Sequence, residues 1–156
     1  MKLHLGCGSV HKPGYVNVDI RNLSGVDVVR DITHDLPWDD GSCECIETYH
    51  VVEHLPRRKV AGALAEWHRV LEPGGVLVVE VPNFDVACRE YLAGNDERLN
   101  SIFGRQRWEG DTHLFGYNVK RLTKMLEGAG FSDIVEFPAT TRRSGGPPCI
   151  RLEAIA

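Results

Sequence analysis

The residues best suited to chemistry sit just after short apolar runs. Leu3-His4-Leu5 ends in Gly6-Cys7-Gly8. A Gly-x-Gly turn after an apolar strand lets the backbone bend tightly and approach a ligand with no Cβ in the way. The next run, Tyr15-Val16-Asn17-Val18, ends in Asp19, whose carboxylate can accept hydrogen bonds from both hydroxyls of a ribose. A third run, Val26 to Val29, leads into Arg30-Asp31. Asp31 is placed to meet the exocyclic amine of an adenine, with Ile32 beside it as an apolar wall. Singly, each feature is a common turn. As an ordered series on consecutive strand ends they describe a nucleoside site.

Three histidines are candidates for proton transfer. His50 and His54 follow a fourth apolar run, Cys45 to Tyr49, and His113 lies in Asp111-Thr112-His113-Leu114-Phe115-Gly116-Tyr117. An imidazole titrates near neutrality and can serve as a base. His50-Val51-Val52-Glu53-His54 also matches H-x-x-E-H, an inverted zinc-peptidase pattern. That chemistry needs both histidines on one helix, whereas here the run begins at a strand end and Pro56 restarts a helix after it. The five cysteines, at 7, 43, 45, 88 and 149, are odd in number and scattered. Cys43-x-Cys45 has no second pair to complete a zinc site. No metal ligand set is therefore assigned.

These residues must be held by alternating strands and helices. Pro56 to Leu71 carries Val60, Ala63, Leu64, Trp67, Val70 and Leu71 at helical spacing, and Glu72-Pro73-Gly74-Gly75 reads as its stop and turn. Val76 to Val81 is a fifth apolar run. A second helix is expected over 118–129, capped by Asn118 and ended by Gly128 and Gly130. Ile134 to Phe137 and Cys149 to Ile155 read as strands separated by an Arg142-to-Pro148 turn. The pattern predicts a single α/β domain over 1–156, with a Rossmann-like, mostly parallel sheet and an antiparallel C-terminal edge strand. Only ten residues separate Gly8 from Asp19, too few for strand, full helix and strand. The first crossover helix is expected to be shortened or absent.

Composition narrows the class. The 156 residues are 42% hydrophobic and 26% charged, with a formal net charge of −4. The acidic balance disfavours a nucleic-acid surface, and the apolar runs are too short to span a bilayer. Met1 is followed almost at once by the apolar run Leu3-His4-Leu5, leaving no room for a signal peptide, so a cytoplasmic protein with reduced thiols is expected.

Taken in order, these segments resemble the class I S-adenosylmethionine-dependent methyltransferases of the type 11 group, in a short form lacking the N-terminal cap. Leu3 to Gly8 is similar to the family's first motif and Asp19-Ile20 to its ribose-binding acidic position. Asp31-Ile32 with Leu36-Pro37-Trp38 is similar to its adenine-contacting segment, and His50 to Leu55 to the motif after strand four. Arg69-Val70-Leu71-Glu72-Pro73-Gly74-Gly75 is the most specific match, and Leu126 to Phe131 looks like the family's terminal Leu-x-x-Ala-Gly-Phe. The resemblance implies S-adenosyl-L-methionine held by Leu5, Gly6, Cys7, Gly8, Asp19, Ile20, Asp31, Ile32, His50 and Val51. It implies methyl transfer to a small-molecule acceptor, with His113 and His50 as catalytic candidates. Within it, Glu53 and His54 leave a divalent ion open. The partners expected are the acceptor and either a second copy or another chain covering the open cofactor site. Two alternatives stand beside it: a cofactor-binding module without catalysis, and an NAD-binding oxidoreductase. The second lacks the G-x-x-G continuation after Gly8.

Overall fold

In the computed structural model, residues 1–140 and 148–156 are described. Seven strands form one sheet: β1 (Lys2–Leu5), β2 (Val16–Asp19), β3 (Val28–Val29), β4 (Cys43–Tyr49), β5 (Leu71–Pro82), β6 (Ser132–Phe137) and β7 (Cys149–Ile155). Their spatial order is β3-β2-β1-β4-β5-β7-β6. The first five run parallel, and β7 runs antiparallel to both β5 and β6. The C-terminal strand is thus the antiparallel one, as expected. It inserts one place in from the edge, so that β6 forms the border. Of the expected Arg142-to-Pro148 turn, residues 142–147 lie outside the described residues.

Two helices cover one face of the sheet. α1 (Arg57–Val70) buries Val60, Ala63, Leu64, Trp67 and Val70, the stripe its sequence spacing predicts. α4 (Val119–Gly128) buries Leu122 and Leu126 and starts where Asn118 accepts a hydrogen bond from the Arg121 N–H at 2.8 Å. Both join one core with Leu3, Leu5, Val18, Ile46, Leu77, Val79 and Leu152. Between β5 and α4, α2 (Phe84–Leu92) and α3 (Leu99–Phe103) fill the segment 85–108, where the sequence shows little periodicity. Among the described residues no helix is long and apolar enough to cross a membrane.

The opposite face differs. Residues 9–15 contain no helix, in line with the short spacing from Gly8 to Asp19. In its place the loop is tied down by Glu47 of β4. Its carboxylate accepts hydrogen bonds from Tyr15 Oη at 2.5 Å and Tyr49 Oη at 2.6 Å and pairs with Lys12. On the same side His4 Nδ1 meets Asn17 Oδ1 at 3.3 Å. This polar network stands where α/β sheets usually carry a second helical layer.

Glu72 to Gly75, expected as a turn, falls within β5 as a break in its pairing with β4: Cys43 pairs with Leu71 and Cys45 with Val76, and Gly74 takes left-handed backbone at φ +85°. The Gly74 N–H donates to the Ala156 carbonyl at 2.9 Å, and the Ala156 N–H donates to the Gly75 carbonyl at 3.0 Å. These two bonds to the chain's last residue tie the turn down beside the end of β7.

Candidate functional site

A cleft opens beyond the carboxyl ends of the parallel strands, beside β1, where β2 and β4 diverge in chain order. In open α/β sheets such a switch point is where ligands bind. Gly6 and Gly8 both take left-handed backbone, with φ of +68° and +56°. At Gly6 a Cβ would also stand 2.3 Å from Val51 Cγ2. The turn is held by the Cys7 N–H donating to the Val18 carbonyl at 3.0 Å and the Gly8 N–H donating to Asp19 Oδ2 at 2.8 Å. Apolar surroundings push the Cys7 thiol up to about 11, so it stays protonated.

Asp19 is 5% exposed. Its Oδ1 accepts from the Arg21 N–H at 2.9 Å and from Arg21 Nε at 3.1 Å. Burial alone would raise its pKa, but the N–H groups of Arg21 and Gly8 and the guanidinium outweigh that and hold it below the usual carboxylate range. A carboxylate offers about four acceptor positions. Three are filled, so Asp19 takes one further donor as it stands and a second if the guanidinium swings aside. While it pairs with Asp19, the guanidinium also lies over the Trp108 ring at 4.8 Å. Arg107 stacks on the same ring at 4.1 Å and pairs with buried Asp111 at 2.9 Å.

Of the other expected cofactor residues, Cys7, Gly8, Ile20, Asp31, Ile32, His50 and Val51 line the cleft. Ile20 is 65% exposed and offers its apolar surface there. Ile32 is buried beneath the rim, and its carbonyl accepts from Trp67 Nε1 at 3.2 Å. Asp31 is occupied by a turn of its own: Oδ1 accepts from Thr33 N–H at 2.9 Å and Thr33 Oγ1 at 2.7 Å, and Oδ2 lies 2.9 Å from His34 Nδ1. An adenine amine would compete with these groups. The Leu5 side chain is fully buried in the core and does not line the cleft, because alternation along β1 turns it toward the helices.

At the far end of the cleft lie the histidines. His50 has φ +56°, and its N–H donates to the Glu80 carbonyl at 2.8 Å. Its Nδ1 is 3.3 Å from Glu53 Oε1 and its Nε2 is 3.9 Å from Cys149 Sγ. Burial alone would lower its pKa, but contacts with Cys149 and Glu53 outweigh it and raise it to about 10. His50 therefore keeps its proton at neutral pH and enters as a positive charge, not as a base. His113 is the opposite case. Burial lowers its pKa, and Nδ1 lies 3.0 Å from the Ser101 carbonyl. A carbonyl only accepts, so Nδ1 carries the hydrogen and Nε2 keeps a free electron pair. His54 is anchored likewise, Nδ1 to the Thr112 carbonyl at 3.1 Å.

Sequence reasoning missed Arg21 as the second hold on Asp19, Lys12 and Tyr15 as anchors of the short loop, and Cys149 beside His50. The only signal for Arg21 was its place two residues after an acidic strand end.

The geometry matches known proteins. Residues 11–79 match the model of a family described as a methyltransferase domain. A probable S-adenosylmethionine-dependent methyltransferase of Mycolicibacterium smegmatis is 31% identical over 146 residues, covering 83% of this chain and 51% of that protein. The chain spans between a fifth and about half of the length of the curated relatives it matches. An S-adenosylmethionine-dependent methyltransferase from Thermotoga maritima superposes with a TM-score of 0.65 at 18% identity, over 99% of this chain and 81% of that one. A Burkholderia thailandensis N-methyltransferase solved with S-adenosylhomocysteine gives 0.65 at 14% identity, over 99% and 69%. With its strand order, its glycine turn over a buried acid and these matches, the chain carries the methyltransferase domain matched over residues 11–79 and is similar to S-adenosylmethionine-dependent methyltransferases.

Proposed function

We propose that the chain binds S-adenosyl-L-methionine in the cleft and transfers its methyl group to a small-molecule acceptor. One observation carries the reading: the Gly6–Gly8 turn, open to a ligand and bonded to an ionised Asp19 at the switch point of the sheet. The turn faces the amino-acid part of the cofactor, Asp19 the ribose, and Ile20 the adenine. Methyl transfer from a sulfonium is a direct displacement whose difficulty the cofactor largely carries. The protein has to align methyl group and nucleophile. The acceptor space is bounded by His50, held as a cation, by His54, and by His113, whose free electron pair is available to a proton. An uncharged cleft wall next to a sulfonium is not what this end offers, so an acceptor that brings electron-rich oxygen or negative charge suits it best.

Incubation with S-adenosylmethionine labelled in the methyl group, with and without fractionated small metabolites, tests the reading. S-adenosylhomocysteine should form only when an acceptor fraction is present. Cofactor binding with no transfer to any fraction, at enzyme concentrations equal to the cofactor, would leave a binding module in place of an enzyme.

A further inference from the structure

We propose that Cys149 and His50 form a paired nucleophile and proton donor, a site that takes small α,β-unsaturated carbonyl compounds covalently at the acceptor end of the cleft. The fold brings the two together from distant parts of the chain. β7 runs antiparallel to β5, and its first residue, Cys149, pairs with Pro82 at the carboxyl end of that strand. His50 directly follows β4, which ends on the same edge of the sheet. An antiparallel strand starts where its neighbours finish, so Cys149 and His50 meet at the rim of the cleft, and both line it.

At that rim sulfur, imidazole and carboxylate stand in succession. Cys149 Sγ is 3.9 Å from His50 Nε2, the long end of a hydrogen bond to sulfur. The other ring nitrogen, Nδ1, is 3.3 Å from Glu53 Oε1. Glu53 is 2% exposed, and neither of its carboxylate oxygens accepts a hydrogen bond among the described residues. The ring of His50 is thus set between a buried acid and a thiol. A nucleophile, an imidazole within reach of it and a third group orienting that imidazole form the arrangement that activates thiols. His50 is protonated at neutral pH through these contacts, and a positive charge beside a cysteine favours the thiolate, the reactive form. Its φ of +56° is uncommon for a residue with a Cβ, and such backbone concentrates at functional sites.

Glu80 is the opposing influence. Fully buried, it brings a carboxylate oxygen within 4.8 Å of both His50 and Cys149, and its charge disfavours a thiolate. Its Oε2 accepts from the Thr140 N–H at 2.8 Å and from Thr140 Oγ1 at 3.0 Å, which disperses that charge. The other thiols lack an imidazolium partner of this kind among the described residues. Cys7 and Cys43 are buried, and burial, with the charge of Glu47 second, pushes Cys45 up. Cys88 on α2 is half-buried, as Cys149 is.

Conjugate addition uses both members of the pair. The thiolate attacks the β-carbon and an S–C bond forms. The electron pair of the C=C bond moves to the α-carbon, which takes the proton of the His50 imidazolium. A thioether and a neutral imidazole result, with no leaving group and no oxidant. The pair works in this way whether or not the chain transfers methyl groups.

Acrylamide, small and uncharged, is the probe. The reduced full chain is incubated with it at pH 7, and the modification rate of each cysteine is read by peptide mass spectrometry, with Cys88 as the internal reference. Cys149 should react at least about tenfold faster than Cys88. In urea, where the fold is lost, the two rates should converge. His50→Asn, which keeps a residue tolerant of left-handed backbone, should slow Cys149 at least about tenfold and leave Cys88 unchanged. Glu53→Gln should slow Cys149 in the same sense, and circular dichroism shows which variants are folded. Should neither variant fold, the wild-type ratio of Cys149 to Cys88 decides alone. Cys149 modified no faster than Cys88, or a Cys149 rate unaltered in a folded His50→Asn chain, would overturn the proposal. S-adenosylhomocysteine titrated into unmodified chain reports on the cofactor reading separately.

Discussion

Gly6→Ala is the most stringent perturbation of the glycine turn. The residue has φ +68°, where a side chain costs about 1–2 kcal/mol. The new Cβ would stand 2.3 Å from Val51 Cγ2 and 3.1 Å from Val51 Cγ1, so Val51 or the strand end must shift. Overpacking of this kind costs typically 1–3 kcal/mol. The sum is about 2–5 kcal/mol, read as a lowered urea midpoint with the slope unchanged. Val51→Ala removes both offending methyl groups. In the double variant the steric part should therefore return and the backbone part should remain, a coupling of about 1–3 kcal/mol. Affinity for S-adenosylhomocysteine should fall in Gly6→Ala and recover only partly in the double variant. A loss below about 0.5 kcal/mol in the single variant, or strict additivity in the pair, would refute the argument that Gly6 is needed for close approach to Val51.

Other consequences follow from single contacts. Asp19→Ala should weaken S-adenosylhomocysteine by about 1.5–3 kcal/mol, the scale of a hydrogen bond to a charged group, and an unchanged Kd in calorimetry would remove Asp19 from the ribose site. Trp67→Phe deletes the donor to the Ile32 carbonyl and should cost about 1–3 kcal/mol of stability; urea unfolding indistinguishable from wild type would show that this bond does not hold the cleft floor. Glu47 lies below its ordinary pKa: burial alone would raise it, and Lys12, Tyr15 and Tyr49 outweigh that. A depressed carboxylate stabilises the fold above its unfolded pKa and loses that contribution as pH falls through the folded value. Glu47→Gln should therefore destabilise at pH 7, and the gap from wild type should narrow toward pH 4; a gap that widens in acid would contradict the sign.

What the sequence made legible was local. The α1 stripe needed only the spacing of Val60, Ala63, Leu64, Trp67 and Val70, and all five are buried. The loss of the first crossover helix followed from chain length, since ten residues cannot climb back over a sheet. The ends of β1, β2 and β4 delivered Gly6, Asp19 and His50 to one cleft because parallel strands share a carboxyl edge. What stayed hidden depends on partners far apart in the chain. His50 is charged because of Glu53 and Cys149, the latter ninety-nine residues away. Glu53 and His113, sixty residues apart in the chain, come within 4.0 Å of each other. The Glu72-to-Gly75 turn is tied down by Ala156, just past β7. The segment 85–108 gave no period, yet it forms two helices, the first capped by Asn83, whose side chain accepts from the Val86 N–H at 3.3 Å.

The central claim is that the Gly6–Gly8 turn and Asp19 form a site for the methyl donor. Calorimetric titration of the full chain with S-adenosylhomocysteine, and in parallel with NAD, tests it most directly. The account predicts a single site for S-adenosylhomocysteine, weakened by Asp19→Ala, and no measurable binding of NAD. Binding of NAD with no response to either S-adenosylmethionine or S-adenosylhomocysteine would contradict it.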